Sequence, residues 1–309
     1  MDPVRLALSF PQALALLARW RPDAIFTTGG YISLPVVGAA AVLRIPALLW
    51  EGNVELGRSA RVAARLTRCR AVTYAETART LRDPTYVTGT PIRDLAHVDR
   101  VAARERFEIP GDARCLLIFG GSQAVRRFDE AIDAALPELA RRAIVLHVAG
   151  PSSMAAAEAR RAALPEGLRP RYRPYPFLND EMTDALAAAD LVVGRAGAST
   201  LAEVTALGTP AVIVPYPHAA GHQGGNARVL ADAGAGTVIP DDAFDGPALL
   251  AAAEVLAEPR RHVAMSAASR SLARPGAADA VAELLLALAE RRALPARDAI
   301  DRLSRKGPA

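Results

Sequence analysis

The chain has 309 residues, enough for two domains of ordinary size, and its 51% hydrophobic and 23% charged residues fall in the range of a folded soluble protein. A net charge of +4 with only 5% aromatics, and no basic cluster interleaved with aromatic residues, argues against nucleic-acid binding. The same modest positive charge would help a peripheral protein settle on an anionic membrane surface, although no apolar run is long enough to span one.

At the amino end, Asp2 stands where a signal peptide carries positive charge, and Pro11-Gln12 interrupts the apolar run. Phe10–Trp20 is therefore predicted as a helix leading into a strand at Ala24–Thr27. Phe10, Leu14, Leu17 and Trp20 fall near helical spacing, which reads as a core stripe. Further strands are predicted at Ala47–Trp50, Ala71–Tyr74, Thr85–Thr88, Cys115–Phe119, Ala143–Ala149 and Arg171–Tyr175. They continue at Leu191–Val193, Ala211–Val214 and Thr237–Ile239, with helical patterns between them. Alternating strands and helices predict an α/β fold with parallel, doubly wound sheets. The expected domains are residues 1–95 and 96–292, with a tail at 293–309. The two cysteines, Cys69 and Cys115, stand far apart and read as buried thiols of a reducing cytoplasm. Asp241-Asp242 lies in an acidic loop and reads as solvated; no Asp-x-Asp pair follows a strand, so neither a metal nor a cofactor is expected.

The densest signal runs from Asp190 to Asn226. Leu191-Val192-Val193 reads as a buried strand, Arg195-Ala196-Gly197-Ala198 as a turn, Ser199 or Thr200 as a helix cap and Gly208 as the helix stop. A helix beginning at a strand's carboxyl end offers free N–H groups and a positive dipole end, which suit a pyrophosphate. Glu203 lies four residues after Ser199 on the same helix face, where its carboxylate can accept from two ribose hydroxyls. His222, Gln223 and Asn226 follow in a polar loop and can hydrogen-bond a sugar. Gly120-Gly121-Ser122 repeats the strand-to-helix turn earlier in the same half; its glycines let the backbone approach a phosphate and Ser122 can donate to it.

This ordered set resembles the MurG-type glycosyltransferases. Gly29-Gly30-Tyr31-Ile32-Ser33, Glu51-Gly52-Asn53, Thr88-Gly89-Thr90-Pro91-Ile92-Arg93 and Gly120-Gly121-Ser122-Gln123 occur in the family's order, and the resemblance covers nearly the whole chain. It implies a GT-B fold, two Rossmann-like domains facing a cleft. It also implies inverting transfer of N-acetylglucosamine from UDP-GlcNAc to the C4 hydroxyl of undecaprenyl-pyrophosphoryl-MurNAc-pentapeptide, at the cytoplasmic face of the bacterial membrane. In that family the segment matching Phe10–Trp20, with Arg19 and Arg21 beside it, docks on the membrane. By the same resemblance Arg93 contacts the donor nucleotide, the Leu178 backbone reads the uracil edge, and Arg195 and Ala198 lie by the nucleotide. Gly29, Gly30 and Asn53 fall on the acceptor side, where Glu51 orients or deprotonates the acceptor hydroxyl.

Departures from the family pattern are visible. Thr90 replaces Asn, Ala124 replaces Gly, and His222 replaces one of two glutamines, while His218, Gln223 and Asn226 match. Trp50 and Gly52 replace His and Gln around Glu51. The bland readings are surface pairing of Arg93 with Asp94 and of Glu51 with Arg58 or Arg61. The family also opens with a strand and a glycine-rich loop that this chain lacks, so the first domain is expected to be incomplete. Three other functions stay open: another UDP-sugar-dependent lipid or natural-product glycosyltransferase, a UDP-sugar-binding subunit inactive without the missing segment, and a UDP-GlcNAc epimerase.

Overall fold

The computed structural model describes residues 3–95, 97–120, 126–217 and 222–306. Its elements in chain order begin with α1 (Pro3–Trp20), β1 (Ile25–Thr27), α2 (Leu34–Leu43), β2 (Ala47–Glu51), α3 (Arg58–Leu66), β3 (Cys69–Val72), α4 (Ala75–Thr80) and β4 (Thr85–Val87). There follow α5 (Arg100–Arg106), β5 (Cys115–Phe119), α6 (Arg126–Arg142), β6 (Ile144–Val148), α7 (Met154–Ala163), β7 (Tyr172–Tyr175), α8 (Glu181–Ala188) and β8 (Leu191–Gly194). The chain closes with α9 (Ala198–Leu207), β9 (Ala211–Ile213), α10 (His222–Asp232), β10 (Gly236–Val238), α11 (Gly246–Ala253), α12 (Pro259–Ser271), α13 (Ala277–Ala289) and α14 (Arg297–Arg305). Every predicted strand is present to within a few residues. Contacts divide the chain into unit 1 (residues 1–94, 220–225 and 274–309) and unit 2 (95–219 and 226–273).

Unit 1 is built on a parallel sheet in the order β1-β2-β3-β4. Alternation along β2 sends Leu49 to one face, against Leu56, Ala60, Ala63 and Ala64, and Leu48 to the other. Right-handed crossovers that always step the same way put their helices on a single face. A parallel sheet needs both faces covered, and here α13 supplies the second cover through Ala280, Val281, Leu284 and Leu288, with Ile300 of α14. Chain order groups Ala277–Ala289 with the second half; its buried face lies instead against Leu48, Cys69, Ala71 and Tyr86 of unit 1.

Helix α1 extends back to Pro3 and carries Pro11 within it. The predicted apolar stripe is split. Leu17 and, in part, Leu14 pack on Ala39 and Ala40 of α2, while Leu8, Phe10, Leu16 and Trp20 are exposed. Among the described residues no helix is long and apolar enough to cross a membrane.

Unit 2 has a parallel sheet in the order β10-β9-β8-β5-β6-β7. Leu116 and Ile118 of β5 enter one core with α6 and α11, and Cys115, Leu117 and Phe119 enter the other with α8 and α9. Near-continuous apolar strands are what a sheet buried on both faces requires. Both cysteines are free and buried, and desolvation pushes each thiol up to about 12.

Candidate functional site

Chain direction in unit 2 reverses at β5. The chain moves from β5 to β6 and β7, then returns to place β8 on the other side of β5. A crevice opens outside the carboxyl ends of strands at such a switch point. Gly194 ends β8 close to β5; a Cβ there would lie 3.3 Å from the Phe119 carbonyl oxygen. The chain then turns through Arg195–Gly197 into α9. Gly197 is the N-cap, with no side-chain cap bond, so the expected cap by Ser199 or Thr200 is corrected. The helix starts earlier than its hydroxyls, and Ala198, Ser199 and Thr200 form its first turn. The first helical bond runs from Leu201 N to Gly197 O at 3.0 Å, so the amides of that turn are left to a ligand or solvent. Ser199 is exposed and Glu203, one turn on, is half-buried. Gly208 stops the helix in the left-handed region at φ 68°.

Arg195 is buried and organises this edge. One guanidinium nitrogen donates to the carbonyls of Val214 (3.1 Å) and Pro215 (3.4 Å) and pairs with Asp241 at 2.5 Å. Its Cζ lies 5.0 Å from the Phe128 ring centroid and 5.3 Å from that of Tyr216. One side chain therefore ties together the segments that follow β5, β8, β9 and β10. The solvated reading of Asp241 is corrected: Arg195 holds it, with Arg127 at 3.6 Å. The missed signal was position, because Asp241 follows a strand's carboxyl end, the edge where α/β sheets gather functional groups. Arg195 Nε is buried without a hydrogen-bond partner among the described residues.

Asn226 is fully buried, and its amide donates to the Ala196 carbonyl at 3.1 Å, fixing the turn before α9. The Leu178 side chain belongs to the core, so on that loop the backbone is what remains to meet a ligand. Ser122 and His218 lie outside the described residues. His222 opens α10, and its side chain lies outside the described atoms.

In unit 1 the sequence-predicted residues gather at the carboxyl edge of the sheet. Gly29 (φ +70°) is crowded by Leu49 and Ala60, and its N–H donates to Thr27 Oγ1 at 3.2 Å. Only glycine suits that conformation and space. Gly30 faces open space. The Glu51 carboxylate is buried and accepts from the Asn53 N–H (2.9 Å) and the Asn53 side-chain amide (3.0 Å), two charge-assisted bonds that fix its direction. The Trp50 indole N–H donates to the Gly89 carbonyl at 3.0 Å, and Thr73 and Thr90 share a hydroxyl bond of 2.9 Å. Arg93 is exposed and Gln223 half-buried; both belong to unit 1.

The sequence profile described as the glycosyltransferase family 28 C-terminal domain matches residues 115–284, more than half of the chain. The chain belongs to glycosyltransferase family 28. The N-terminal domain profile of family 28 matches residues 1–72. A Moorella thermoacetica relative is 38% identical over 93% of this chain and 80% of its own length. It is named UDP-N-acetylglucosamine--N-acetylmuramyl-(pentapeptide) pyrophosphoryl-undecaprenol N-acetylglucosamine transferase. A crystal structure of Acinetobacter baumannii MurG superimposes with a TM-score of 0.78 at 28% identity, covering 92% of this chain and 79% of the other. The UDP-GlcNAc 2-epimerase of Neisseria meningitidis, solved bound to UDP-GlcNAc, reaches a TM-score of 0.62 at 12% identity. It covers 83% of this chain and 74% of its own, a likeness of fold alone. The two parallel-sheet Rossmann-like units are those of a GT-B glycosyltransferase.

Within this family 28 chain, unit 2 brings Arg195, Ala198, Ser199, Thr200, Glu203 and Asn226 onto one sheet edge. Gly29, Gly30, Glu51 and Asn53 meet on the corresponding edge of unit 1. Trp50 and Thr90, which depart from the family pattern, each make a hydrogen bond inside unit 1 that holds the turn around Gly89.

Proposed function

We propose that this chain transfers N-acetylglucosamine from UDP-GlcNAc to the C4 hydroxyl of undecaprenyl-pyrophosphoryl-MurNAc-pentapeptide, with inversion. The observation that carries the reading is the switch point between β5 and β8, where α9 presents an uncapped N-terminus with Glu203 one turn inside it. The diphosphate sits on the amides of Ala198–Thr200, and Glu203 accepts from the ribose hydroxyls. The Leu178 backbone reads the uracil edge, Arg93 contacts the nucleotide, and His222 and Gln223 serve the sugar; Asn226, expected to join them, is buried and instead holds the Ala196 carbonyl of the turn into α9. In unit 1 the Glu51 carboxylate, aimed by Asn53, takes the proton of the acceptor hydroxyl. The hydroxyl oxygen bonds the anomeric carbon as the bond to the β-phosphate oxygen breaks. UDP leaves with the electron pair, and its charge falls on the α9 N-terminus.

A peripheral position at the cytoplasmic face of the membrane fits the exposed Leu8, Phe10, Leu16 and Trp20 of α1, with Arg19 and Arg21 alongside. Liposomes rich in anionic lipid are expected to retain the protein at low salt; protein left in the supernatant would end the docking proposal.

Calorimetric titration with UDP-GlcNAc, UDP-glucose and UDP tests the donor reading. UDP-GlcNAc is expected to bind more tightly than UDP-glucose. A preference for another sugar would favour a different UDP-sugar-dependent transferase, a reading that His222 and Trp50, in place of the family's glutamine and histidine, allow. Hydrogen bonds to a charged group are worth about 1.5–3 kcal/mol, so Glu203→Ala should weaken UDP roughly tenfold to a hundredfold. Unchanged UDP affinity in the folded variant would remove Glu203 from the site.

A further inference from the structure

Helix α10 carries two adjacent glycines, Gly224 and Gly225, in its first turn. Glycine inside a helix is less favourable than alanine, so each calls for a reason. Their surroundings differ. A Cβ on Gly224 would meet nothing within 4 Å. A Cβ on Gly225 would lie 2.9 Å from Val54 Cβ and 3.2 Å from its Cγ1, nearer than carbon atoms pack. Gly225 is buried, and it and Val54 both belong to unit 1.

Neither side of this contact has room to yield. The nearest Val54 atom is its Cβ, one bond from the backbone, and β-branching leaves the side chain stiff. The backbone is held as well: the buried Thr77 hydroxyl shares its proton between the carbonyls of Asn53 (3.1 Å) and Val54 (3.0 Å). On the helix side the next residue, Asn226, is buried and holds the Ala196 carbonyl at 3.1 Å. The segment that receives Gly225 is the one that aims Glu51, whose carboxylate accepts from the Asn53 N–H and amide. The turn seated on it carries Gln223.

We propose that Gly225 is a positioning residue: lacking a side chain, it seats the first turn of α10 on Val54 and so holds Gln223 in register with the Glu51–Asn53 segment. The inference rests on the reading of Gln223 as a sugar-binding residue. Gly225 itself acts only through the backbone of its turn. Relieving the overlap that an alanine brings takes a shift of roughly 0.6–1 Å. Misplacing a substrate-positioning group by about 1 Å can cost about a hundredfold.

The test is calorimetric titration of the full chain with UDP and UDP-GlcNAc. Gly225→Ala should weaken UDP-GlcNAc about tenfold and leave UDP, which has no sugar to place, within about twofold. Gly224→Ala should bind both as wild type does. The swap Gly225→Ala/Val54→Gly moves the side chain to the other partner and should restore most of the lost affinity. A ligand-free arm reads the seat itself. Alanine favours the helix equally at both positions, yet Gly225→Ala should lower the thermal midpoint by about 2–4 °C while Gly224→Ala should not, and the swap should recover it.

Wild-type UDP-GlcNAc affinity in Gly225→Ala overturns the proposal, as does equal weakening of UDP and UDP-GlcNAc, or a swap that restores nothing. Midpoints that move alike in Gly224→Ala and Gly225→Ala overturn the seat. If the wild type binds no UDP-GlcNAc, the donor reading fails, and the midpoints still decide whether Gly225 seats the helix.

Discussion

In the second sheet the chain steps outward from β5 in both directions, to β6 and β7 and then to β8, β9 and β10; in the first it steps one way, from β1 to β4. Two consequences follow from that difference. A sheet wound both ways receives crossover helices on both faces, and unit 2 fills its two cores from the segment between Leu95 and Ala273. A sheet wound one way receives them on one face, so unit 1 depends on α13 and α14 from the far end of the chain. The second consequence is functional. Among the described residues the switch point lies in the sheet of unit 2, and there topology itself opens a crevice. Unit 1 presents Gly29, Glu51 and Asn53 at strand ends that topology alone does not converge.

The largest expected effect tests the borrowed cover. Leu284 is fully buried between α13 and the sheet of unit 1. Leu284→Ala should cost about 3–4 kcal/mol through lost burial and the cavity left behind. Both tryptophans, Trp20 and Trp50, lie in unit 1, so the denaturant midpoint read by tryptophan fluorescence should fall. An unmoved midpoint would break the comparison, because unit 1 would then not need its C-terminal helices.

Next comes the charge that gathers the loops of unit 2. Asp241→Ala leaves the Arg195 guanidinium buried with carbonyl partners only. Removing one partner of a buried ion pair is costly, and a loss of about 3 kcal/mol is expected in urea unfolding followed by circular dichroism. UDP affinity should fall with it, since the same arginine fixes the turn into α9. A variant as stable as wild type would return Asp241 to the solvated role that its sequence context suggests.

The central strands β2, β5, β6, β8 and β9 were legible in the sequence because each is a short run rich in Val, Ile, Leu or Ala closed by a glycine, proline or polar turn, and such runs have few other fates. The face that α13 covers was not legible, since an apolar Ala/Leu helix carries no label for the sheet it will meet. Within the candidate site, Glu203 could be placed from spacing alone, because four residues is one helical turn. The pairing of Arg195 with Asp241 could not, because 46 residues and two strands, β9 and β10, separate them. The helix start also escaped notice: hydroxyls at Ser199 and Thr200 suggest a cap, but the chain leaves β8 through a glycine that begins the helix sooner.

Acid should separate the units further. His147 is buried in unit 2, its Nδ1 2.8 Å from the Tyr172 hydroxyl, and desolvation lowers it to about 4. Between about pH 6.5 and 4 the unfolded chain takes up a proton there that the folded chain refuses, so stability falls as pH falls through that window. The loss at pH 5 is expected to be about 2 kcal/mol. His147→Gln should flatten the pH dependence of unfolding between pH 7 and 5. An unchanged slope would place the acid-sensitive group elsewhere.

The smallest effect sharpens the division of labour. Trp50 sits at the carboxyl edge of unit 1, and its indole N–H holds the Gly89 carbonyl. Trp50→Phe keeps the apolar ring and deletes that donor. The site is only partly buried, so water can replace the bond, and the cost should be near 1 kcal/mol, read by circular dichroism because Trp20 alone remains as a fluorophore. The more telling number is UDP affinity, which should stay within about twofold of wild type, a difference of about 0.4 kcal/mol. If instead Trp50→Phe weakens UDP as far as Glu203→Ala does, the Gly89 turn and the Arg93 that follows it hold the nucleotide as firmly as α9. The switch point of unit 2 would then be one half of the donor site rather than its principal part.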